Sequence, residues 1–169
     1  MEAIKIEALS EGLASWKKLV IFLAPMIIFP LFHNQFMAGP MVNAVLFIMP
    51  FFLGLRDSML LAMLPSVVAL AVGLLPALAA PFLPYIIVSN WVLPFIFDKL
   101  RQKGYWLGAV SSSLAKFIFL YGASFILTSY FISGPQAKLV ANMFSLPQLY
   151  TALLGAIIAF SFLKFIKRI

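Results

Sequence analysis

Residues 105–133 read YWLGAVSSSLAKFIFLYGASFILTSYFIS, a nearly continuous apolar run that is long enough to cross a bilayer as a helix. Lys116 lies close to the middle of this run. A charged side chain at the centre of a bilayer costs about 3 kcal/mol on insertion scales, and it is normally turned toward a cavity or a partner. We therefore expect Lys116 to face the interior of a helical bundle and not lipid.

The side chains around Lys116 are arranged with helical periodicity. At about 100° per residue, the small and polar side chains fall on the same side of the helix as Lys116. They are Gly108, Ala109, Ser112, Ser113, Ala123 and Ser124. The opposite side carries Leu107, Leu114, Ile118 and Phe125. The pattern predicts one surface for lipid and one small, polar surface that carries the charge into the bundle.

The composition indicates an all-α integral membrane protein. Of the 169 residues, 64% are hydrophobic and only 10% are charged. A net charge of +7 could suggest nucleic acid as a partner of a water-soluble protein. Here the basic residues lie at the ends of apolar runs, so we expect the chain to contact a lipid bilayer and no nucleic acid. The absence of cysteine excludes disulfides and thiolate chemistry.

The apolar runs predict six transmembrane helices in one bundle, within a single membrane domain that covers residues 1–169. The predicted spans are about 17–33, 36–55, 58–75, 82–97, 105–133 and 146–165. Prolines in the third and fourth spans predict breaks or tilts there, and 134–145 is predicted to be a polar connection. Residues 1–16 carry apolar side chains at helical spacing, which predicts either a cytoplasmic interfacial helix or a frayed terminus anchored by Trp16.

Basic residues predict the orientation of the bundle. With six spans, almost all of them fall on the side of the membrane that holds both termini. They are Lys5, Lys17, Lys18, Arg56, Lys99, Arg101, Lys103, Lys164, Lys167 and Arg168, whereas the other side carries only Lys138. Because basic loops favour the cytoplasm, we expect a multi-pass protein of the plasma membrane with both termini cytoplasmic.

Several motifs of catalysis and energy coupling are missing from the sequence. There is no GxxxxGK[ST] phosphate loop and no GxSxG, and the single histidine, His33, lies at the outer edge of the predicted membrane region. Every carboxylate lies outside the apolar runs, at Glu2, Glu7, Glu11, Asp57 and Asp98. We therefore expect neither an enzyme nor a metal site nor a cofactor, and no carrier driven by protons or sodium through buried carboxylates.

The candidate substrate-binding residues are polar side chains at membrane depth. Asn43 lies in the outer part of the second span and Asn90 near the middle of the fourth. A buried amide without partners is costly, so both should face the interior. We expect Lys116 to meet an anionic group of a substrate, such as a carboxylate, with Asn90 orienting it. The alternatives are hydrogen bonds between helices for the amides and, for Lys116, capping of backbone carbonyls or snorkelling.

Two further groups of residues are candidates for the wall and the cover of such a site. Candidate wall residues are Tyr85, Trp91, Ser112, Tyr121 and Gln148. The outer turn His33-Asn34-Gln35 is a candidate lid, for which Gly39 would supply the hinge. Aromatic side chains near membrane interfaces are also typical anchors, and a plain tight turn explains the same three residues equally well.

Residues 39–92, GPMVNAVLFIMPFFLGLRDSMLLAMLPSVVALAVGLLPALAAPFLPYIIVSNWV, resemble the substrate-binding S component of an energy-coupling-factor (ECF) transporter. The second span opens with Gly-Pro and Asn43, and Gly54 precedes a short basic turn. The third span ends in Gly-x-x-Pro, and a proline-rich turn leads to a fourth span with a central Asn90. The predicted six spans and cytoplasmic termini extend the resemblance over most of the chain.

This resemblance implies a subunit that binds a small vitamin, a cofactor precursor or a metal ion toward the outer face. It also implies docking on a scaffold transmembrane subunit that is powered by two cytoplasmic ATPases, which agrees with the missing phosphate loop. Several members dock through small residues four positions apart on the first helix. Here such pairs are found later in the chain, at Ala62/Ser66, Ala152/Ala156 and Gly155/Ala159.

Two alternative functions stay open at this point. One is a structural membrane subunit of the rod-shape-determining kind, which would transport nothing and would tolerate Lys116→Met. The other is a self-contained carrier or channel, which would need a water-filled path through the bundle. A binding subunit predicts instead a cavity beside Lys116 and thermal stabilisation by one small anionic or zwitterionic nutrient.

Overall fold

The computed structural model describes residues 16–130 and 135–169, and all regular structure within them is helical, with no strand. The helices are α1 (described over 16–28), α2 (Gln35–Ile48), α3 (Gly54–Ala62), α4 (Leu64–Ala71), α5 (Leu83–Leu100), α6 (Tyr105–Tyr130), α7 (Pro135–Met143) and α8 (Leu146–Phe165). Short 3-10 turns cover Phe29–Phe32, Met49–Phe51, Ala77–Phe82 and Arg101–Lys103. The all-helical prediction is confirmed.

Four helical stretches of the described chain are long and apolar enough to cross a membrane. They are Gly54–Ala71, Ala77–Lys103, Tyr105–Tyr130 and Val140–Phe165. Gln35–Phe51 is a further apolar helix of shorter length. These properties are those of a membrane protein, because a bilayer core needs roughly 20 apolar residues of helix.

The boundary between the second and third predicted spans differs from the prediction. Instead of ending at Arg56-Asp57, α2 ends at Ile48 and both charged residues lie inside α3. Pro50 lacks the backbone N–H that would continue the helix, so the chain tightens into the turn Met49–Phe51. Gly54 then takes a φ of 76°, which is inexpensive only without a Cβ. The two breaks together start a new helix about one turn earlier than expected.

The third predicted span shows the break that its proline predicts, whereas in the fourth α5 continues without a break past Pro94. The stretch Gly54–Ala71 is divided at Met63 into α3 and α4, with Pro65 in the first turn of α4, where a missing N–H costs nothing. The helix of the fourth predicted span, α5, extends to Leu100, beyond the predicted end at residue 97.

The predicted polar connection at 134–145 contains a short helix, α7, over Pro135–Met143. Proline suits the first position of a helix, and α7 begins at Pro135. The side chains of Val140 in α7 and of Phe144 directly after it are buried. The remainder of the fifth predicted span, residues 131–133, lies outside the described residues. So do residues 1–15 of the interfacial helix that was predicted for residues 1–16.

The bundle is organised by two close helix pairs, α2 with α8 and α5 with α6. Small residues of α8 make the first pair possible: a Cβ added at Gly155 would lie 2.6 Å from Asn43 Cβ and 2.8 Å from the carbonyl oxygen of Pro40. Ala152, Ala156 and Ala159 are fully buried as well. The small-residue pairs of α8 therefore pack inside the chain. Ala62 and Ser66 are likewise buried.

The two ends of the bundle differ in chemistry. At one end, which we call the basic end, the guanidinium groups of Arg101 and Arg168 lie over the rings of Phe51 and Phe52, at 4.2 and 5.2 Å. The other end, which we call the pocket end, is formed by the turn before α2, the turn before α5 and the α7–α8 junction. Gln35 Nε2 donates there to the carbonyl oxygen of Met143 at 3.1 Å.

Candidate functional site

The face of α6 that carries Lys116 is buried, as its periodicity predicts. Lys116 is 3% exposed, whereas Ile118 and Phe125 on the opposite face are 65% and 68% exposed. The buried residues of α6 are Gly108, Ala109, Ser112, Ser113, Lys116, Leu120, Ser124 and Leu127. The predicted inward orientation of Lys116 is confirmed. Snorkelling is excluded, since the side chain does not reach the surface.

Lys116 joins three helices through two amide side chains. Its Nζ donates to Asn43 Oδ1 of α2 at 2.7 Å and to Asn90 Oδ1 of α5 at 2.8 Å. Both asparagines are buried, at 2% and 5% exposure. These distances are those of charge-assisted hydrogen bonds, which are about twice as strong as neutral ones. The ammonium therefore meets side-chain amides, not the backbone carbonyls of the capping alternative.

Each amide is held in its orientation by a second hydrogen bond. Asn90 Nδ2 donates to Ser66 Oγ of α4 at 2.9 Å, and Asn43 Nδ2 donates to Thr151 Oγ1 of α8 at 3.4 Å. Thr151 Oγ1 in turn donates to the carbonyl oxygen of Gln148 at 3.2 Å. Because the amide nitrogens bind hydroxyl groups, the amide oxygens point to Lys116. The network thus fixes the ammonium in the middle of the bundle.

A partly open cavity of about 120 Å³ lies against this network at the pocket end. Its lining residues are Pro30, Gln35, Ala38, Gly39, Val42, Asn43, Pro65, Ser66, Ala69, Leu74, Leu75, Ile86, Asn90, Lys116, Met143, Phe144 and Gln148. Most of the wall is apolar, and Lys116 is the one charged residue among the described lining. In the part of the chain that the structure describes, no group of three His, Cys, Asp or Glu residues is placed to hold a metal ion.

Gln148 is the one further predicted wall residue that lines the cavity. Tyr85, Trp91 and Ser112 lie outside the described lining of the cavity. Tyr85 is 39% exposed on the outside of α5. Trp91 Nε1 donates to the carbonyl oxygen of Met59 at 2.7 Å, and Ser112 Oγ donates to the carbonyl oxygen of Ala109 at 3.1 Å. The first of these hydrogen bonds joins α5 to α3, and the second lies within α6. Tyr121 is also exposed, at 52%.

Two of the four residues predicted to form a lid line the cavity, and the other two do not. His33 and Asn34 are exposed and lie outside the cavity lining: His33 ends a 3-10 turn with φ 51°, and Asn34 Oδ1 caps α2 by accepting from Phe36 N at 2.9 Å. Gln35 and Gly39 do line the cavity. The hinge prediction for Gly39 is wrong, because Gly39 lies inside α2, where an added Cβ would be 2.8 Å from Thr151 Cγ2. Close helix packing explains this glycine.

Sequence reasoning missed several residues of the site. Ser66 and Thr151 hold the amides, and Met143 and Phe144 close the cavity from the α7–α8 junction. Gln35 and Gln148 both donate through Nε2 to the carbonyl oxygen of Met143, each at 3.1 Å. Thr151 lies one turn after Gln148, a signal that periodicity could have used. Nothing in the local pattern points to Met143, because its contribution is a backbone carbonyl.

The arrangement has spare hydrogen-bond donors and no negative charge. An ammonium group has three N–H donors and a side-chain amide has two. Among the described residues, Lys116 uses two of its donors, and Asn43 and Asn90 each use one. These unused donors belong to residues that line the cavity, so its polar corner suits a group that accepts hydrogen bonds.

Comparison of the chain with protein-family models, with curated proteins and with solved structures gave no match. The chemistry of the cavity must therefore be interpreted from the geometry of this chain.

Proposed function

We propose that this chain is the membrane-embedded solute-binding subunit of an uptake transporter of the ECF type. It captures a small anionic or zwitterionic nutrient from the outer face of the plasma membrane, and partner subunits supply ATP hydrolysis. The observation that carries the proposal is the ammonium of Lys116, buried on the wall of a cavity and bonded only to neutral amides among its described partners. Buried charges in proteins are normally paired, so an anionic ligand would complete the site.

The topology that goes with this function has six membrane crossings and cytoplasmic termini. The helix 16–28 with the turn Phe29–Phe32 forms the first crossing, Gln35–Phe51 the second, and the four long stretches the others, with α7 at the outer surface. The basic end then faces the cytoplasm, in agreement with the distribution of lysine and arginine along the chain. The cavity opens at the opposite end, from which a nutrient arrives.

The dependence on partner subunits is supported by the sequence and by the resemblance of residues 39–92. The chain has no phosphate-loop motif for ATP. The small residues of α8 and of the α3–α4 junction are engaged within the bundle, so docking on a scaffold subunit uses a different surface. We expect no uptake when the chain is reconstituted alone in liposomes. Uptake without ATP and without partners would point to the self-contained carrier instead.

The binding function is tested by ligand-induced stabilisation of the purified chain in nanodiscs. A ligand at about 100 times its dissociation constant stabilises the folded state by roughly 3 kcal/mol. We expect small molecules that co-purify with the protein, identified by mass spectrometry, to raise the thermal midpoint of the wild type. Lys116→Met should remove this shift, measured against the ligand-free midpoint of the same variant.

Lys138→Met is the matched control, because Lys138 is exposed on α7 and the substitution is chemically the same. It should keep the full shift. If a broad nutrient panel stabilises neither protein and nothing co-purifies, the binding function is refuted and the structural subunit is favoured.

A further inference from the structure

We infer, resting on the proposed function, that the ligand is a short, unbranched monocarboxylate that carries no second charged group. This narrows the class of nutrient beyond a small anion or zwitterion. The narrowing comes from three properties of the cavity: the kind of polar groups that remain unpaired, the position of those groups, and the shape of the apolar space beside them.

The unpaired polar groups at the deep end of the cavity are donors. One N–H of Lys116 and one N–H on each of Asn43 and Asn90 remain, while both amide oxygens face the ammonium. An ionised carboxylate has only acceptors and so matches this set. A ligand ammonium placed there would be repelled by Lys116.

The rest of the cavity offers no place for a second charge. Lys116 is the one basic residue of the described lining, and that lining contains no carboxylate. At the mouth, the carbonyl oxygen of Met143 already accepts from Gln35 and Gln148. A second carboxylate would therefore find no basic partner there. The side-chain oxygens of Gln35 and Gln148 are neutral acceptors, so an α-ammonium would lack a charged partner, and beside the first carboxylate it would lie close to Lys116.

The cavity is small and elongated. At about 120 Å³ it is somewhat smaller than a protein cavity of about 150 Å³ that holds benzene, so it encloses roughly five or six non-hydrogen atoms. Its lining on α2 extends from Gln35 to Asn43, which is roughly 12 Å along a helix axis at 1.5 Å per residue. A small volume spread over this length fits an unbranched chain. The side chains beside it, Val42, Leu75 and Phe144, are apolar and favour a hydrocarbon body.

The ligand therefore lies with its carboxylate on Lys116 Nζ and its chain directed toward the mouth between α2 and α8. This pose predicts a ranking of simple compounds, which can be measured by calorimetry on the full chain in nanodiscs. Butanoate is the probe. Butanamide keeps the shape and removes the charge, 2-aminobutanoate adds an ammonium, and butanedioate adds a second carboxylate. 2-Methylpropanoate has the same atoms as butanoate and differs only in branching.

We expect butanoate to bind at least about tenfold more tightly than butanamide, since a hydrogen bond to a charged group contributes about 1.5–3 kcal/mol, or roughly 10- to 150-fold. The zwitterion, the dianion and the branched isomer should each bind more weakly than butanoate, which is unbranched and singly charged. Lys116→Met should lose butanoate binding, and Lys138→Met should retain it.

Two results separate failure of this inference from failure of the binding function. If a zwitterionic, doubly charged or larger nutrient stabilises the wild type and not Lys116→Met, while butanoate does not bind, the inference is wrong and the binding function stands. Equal affinities for butanoate and butanamide, or butanoate binding that survives Lys116→Met, also overturn the inference. If no compound binds at all, both are wrong.

Discussion

The contact between α2 and α8 at Gly155 lies beside Asn43 but outside the cavity lining. A side chain added at Gly155 should therefore disturb the site without removing any of its polar groups. In Gly155→Ala the new Cβ would lie 2.6 Å from Asn43 Cβ and 2.8 Å from both Ala44 N and the carbonyl oxygen of Pro40. Carbon atoms in favourable contact are about 3.5–4.0 Å apart. The two helices must therefore separate by about 1 Å, and two of the three neighbouring atoms are backbone atoms that cannot rotate away.

The expected cost can be isolated with a matched variant. Overpacking of this kind costs about 1–3 kcal/mol, whereas replacing a helical glycine by alanine gains up to about 1 kcal/mol in helix propensity. Gly122→Ala provides that gain alone, because nothing lies within 4 Å of an added Cβ in the middle of α6. The free energy of unfolding of Gly155→Ala should therefore be about 1–3 kcal/mol below that of Gly122→Ala.

The same displacement should reach the binding site. Asn43 is the residue that the new methyl group strikes, and its Oδ1 accepts from Lys116 at 2.7 Å. Thermal unfolding followed by tryptophan fluorescence, with and without ligand, measures both effects. We expect a lowered midpoint and a reduced ligand-induced shift in Gly155→Ala, and neither change in Gly122→Ala. Equal stabilities of the two variants would refute the close packing of α2 on α8.

Two further substitutions separate the site from the rest of the bundle. Asn90→Leu removes an acceptor of Lys116 and the donor to Ser66, so it should lower stability by about 1–3 kcal/mol and abolish the ligand shift. Asn142→Leu, at an exposed position of α7, should do neither, and a full ligand shift in Asn90→Leu would exclude Asn90 from the site. Tyr105→Phe removes a hydrogen bond of 2.7 Å from Oη to the carbonyl oxygen of Ala156, so thermal unfolding should show a loss of about 0.5–1.5 kcal/mol with an unchanged ligand shift. An altered ligand shift in Tyr105→Phe would contradict the separation of the basic end from the pocket end.

The central residues of the site could be predicted because the argument for them is local. A lysine or an asparagine in an apolar helix is costly wherever the neighbouring helices lie, so each must face the interior. Helical periodicity then selected the buried face of α6 correctly, from Gly108 to Ser124. These two principles found Lys116, Asn43 and Asn90, and the three side chains meet in one hydrogen-bonded network.

The other features depend on contacts between distant parts of the chain, which periodicity does not specify. Trp91 follows Asn90 directly and yet points to Met59 of α3, because adjacent residues on a helix lie about 100° apart. Glycine is a residue type that hinges often use, which is why Gly39 was proposed as one. Thr151 of α8 lies so close to it, however, that the absence of a side chain serves helix packing. Helix α7 was overlooked because its sequence is polar. Phe144, which follows it, stacks on the distant Phe82 at 5.2 Å, a contact that local periodicity does not show.

The proposed binding function accounts for the neutral amides that surround Lys116. A lysine that served only to join α2, α5 and α6 would be better stabilised by a carboxylate than by neutral amides. An apolar side chain would serve as well, because a buried ion pair is often no more stable than a hydrophobic contact. Asn43 and Asn90 orient the ammonium and leave its charge uncompensated beside an open cavity. An aspartate at either position would neutralise the site and repel an anion. In the proposed function, the same charge that makes this network costly for the empty protein selects an anionic ligand.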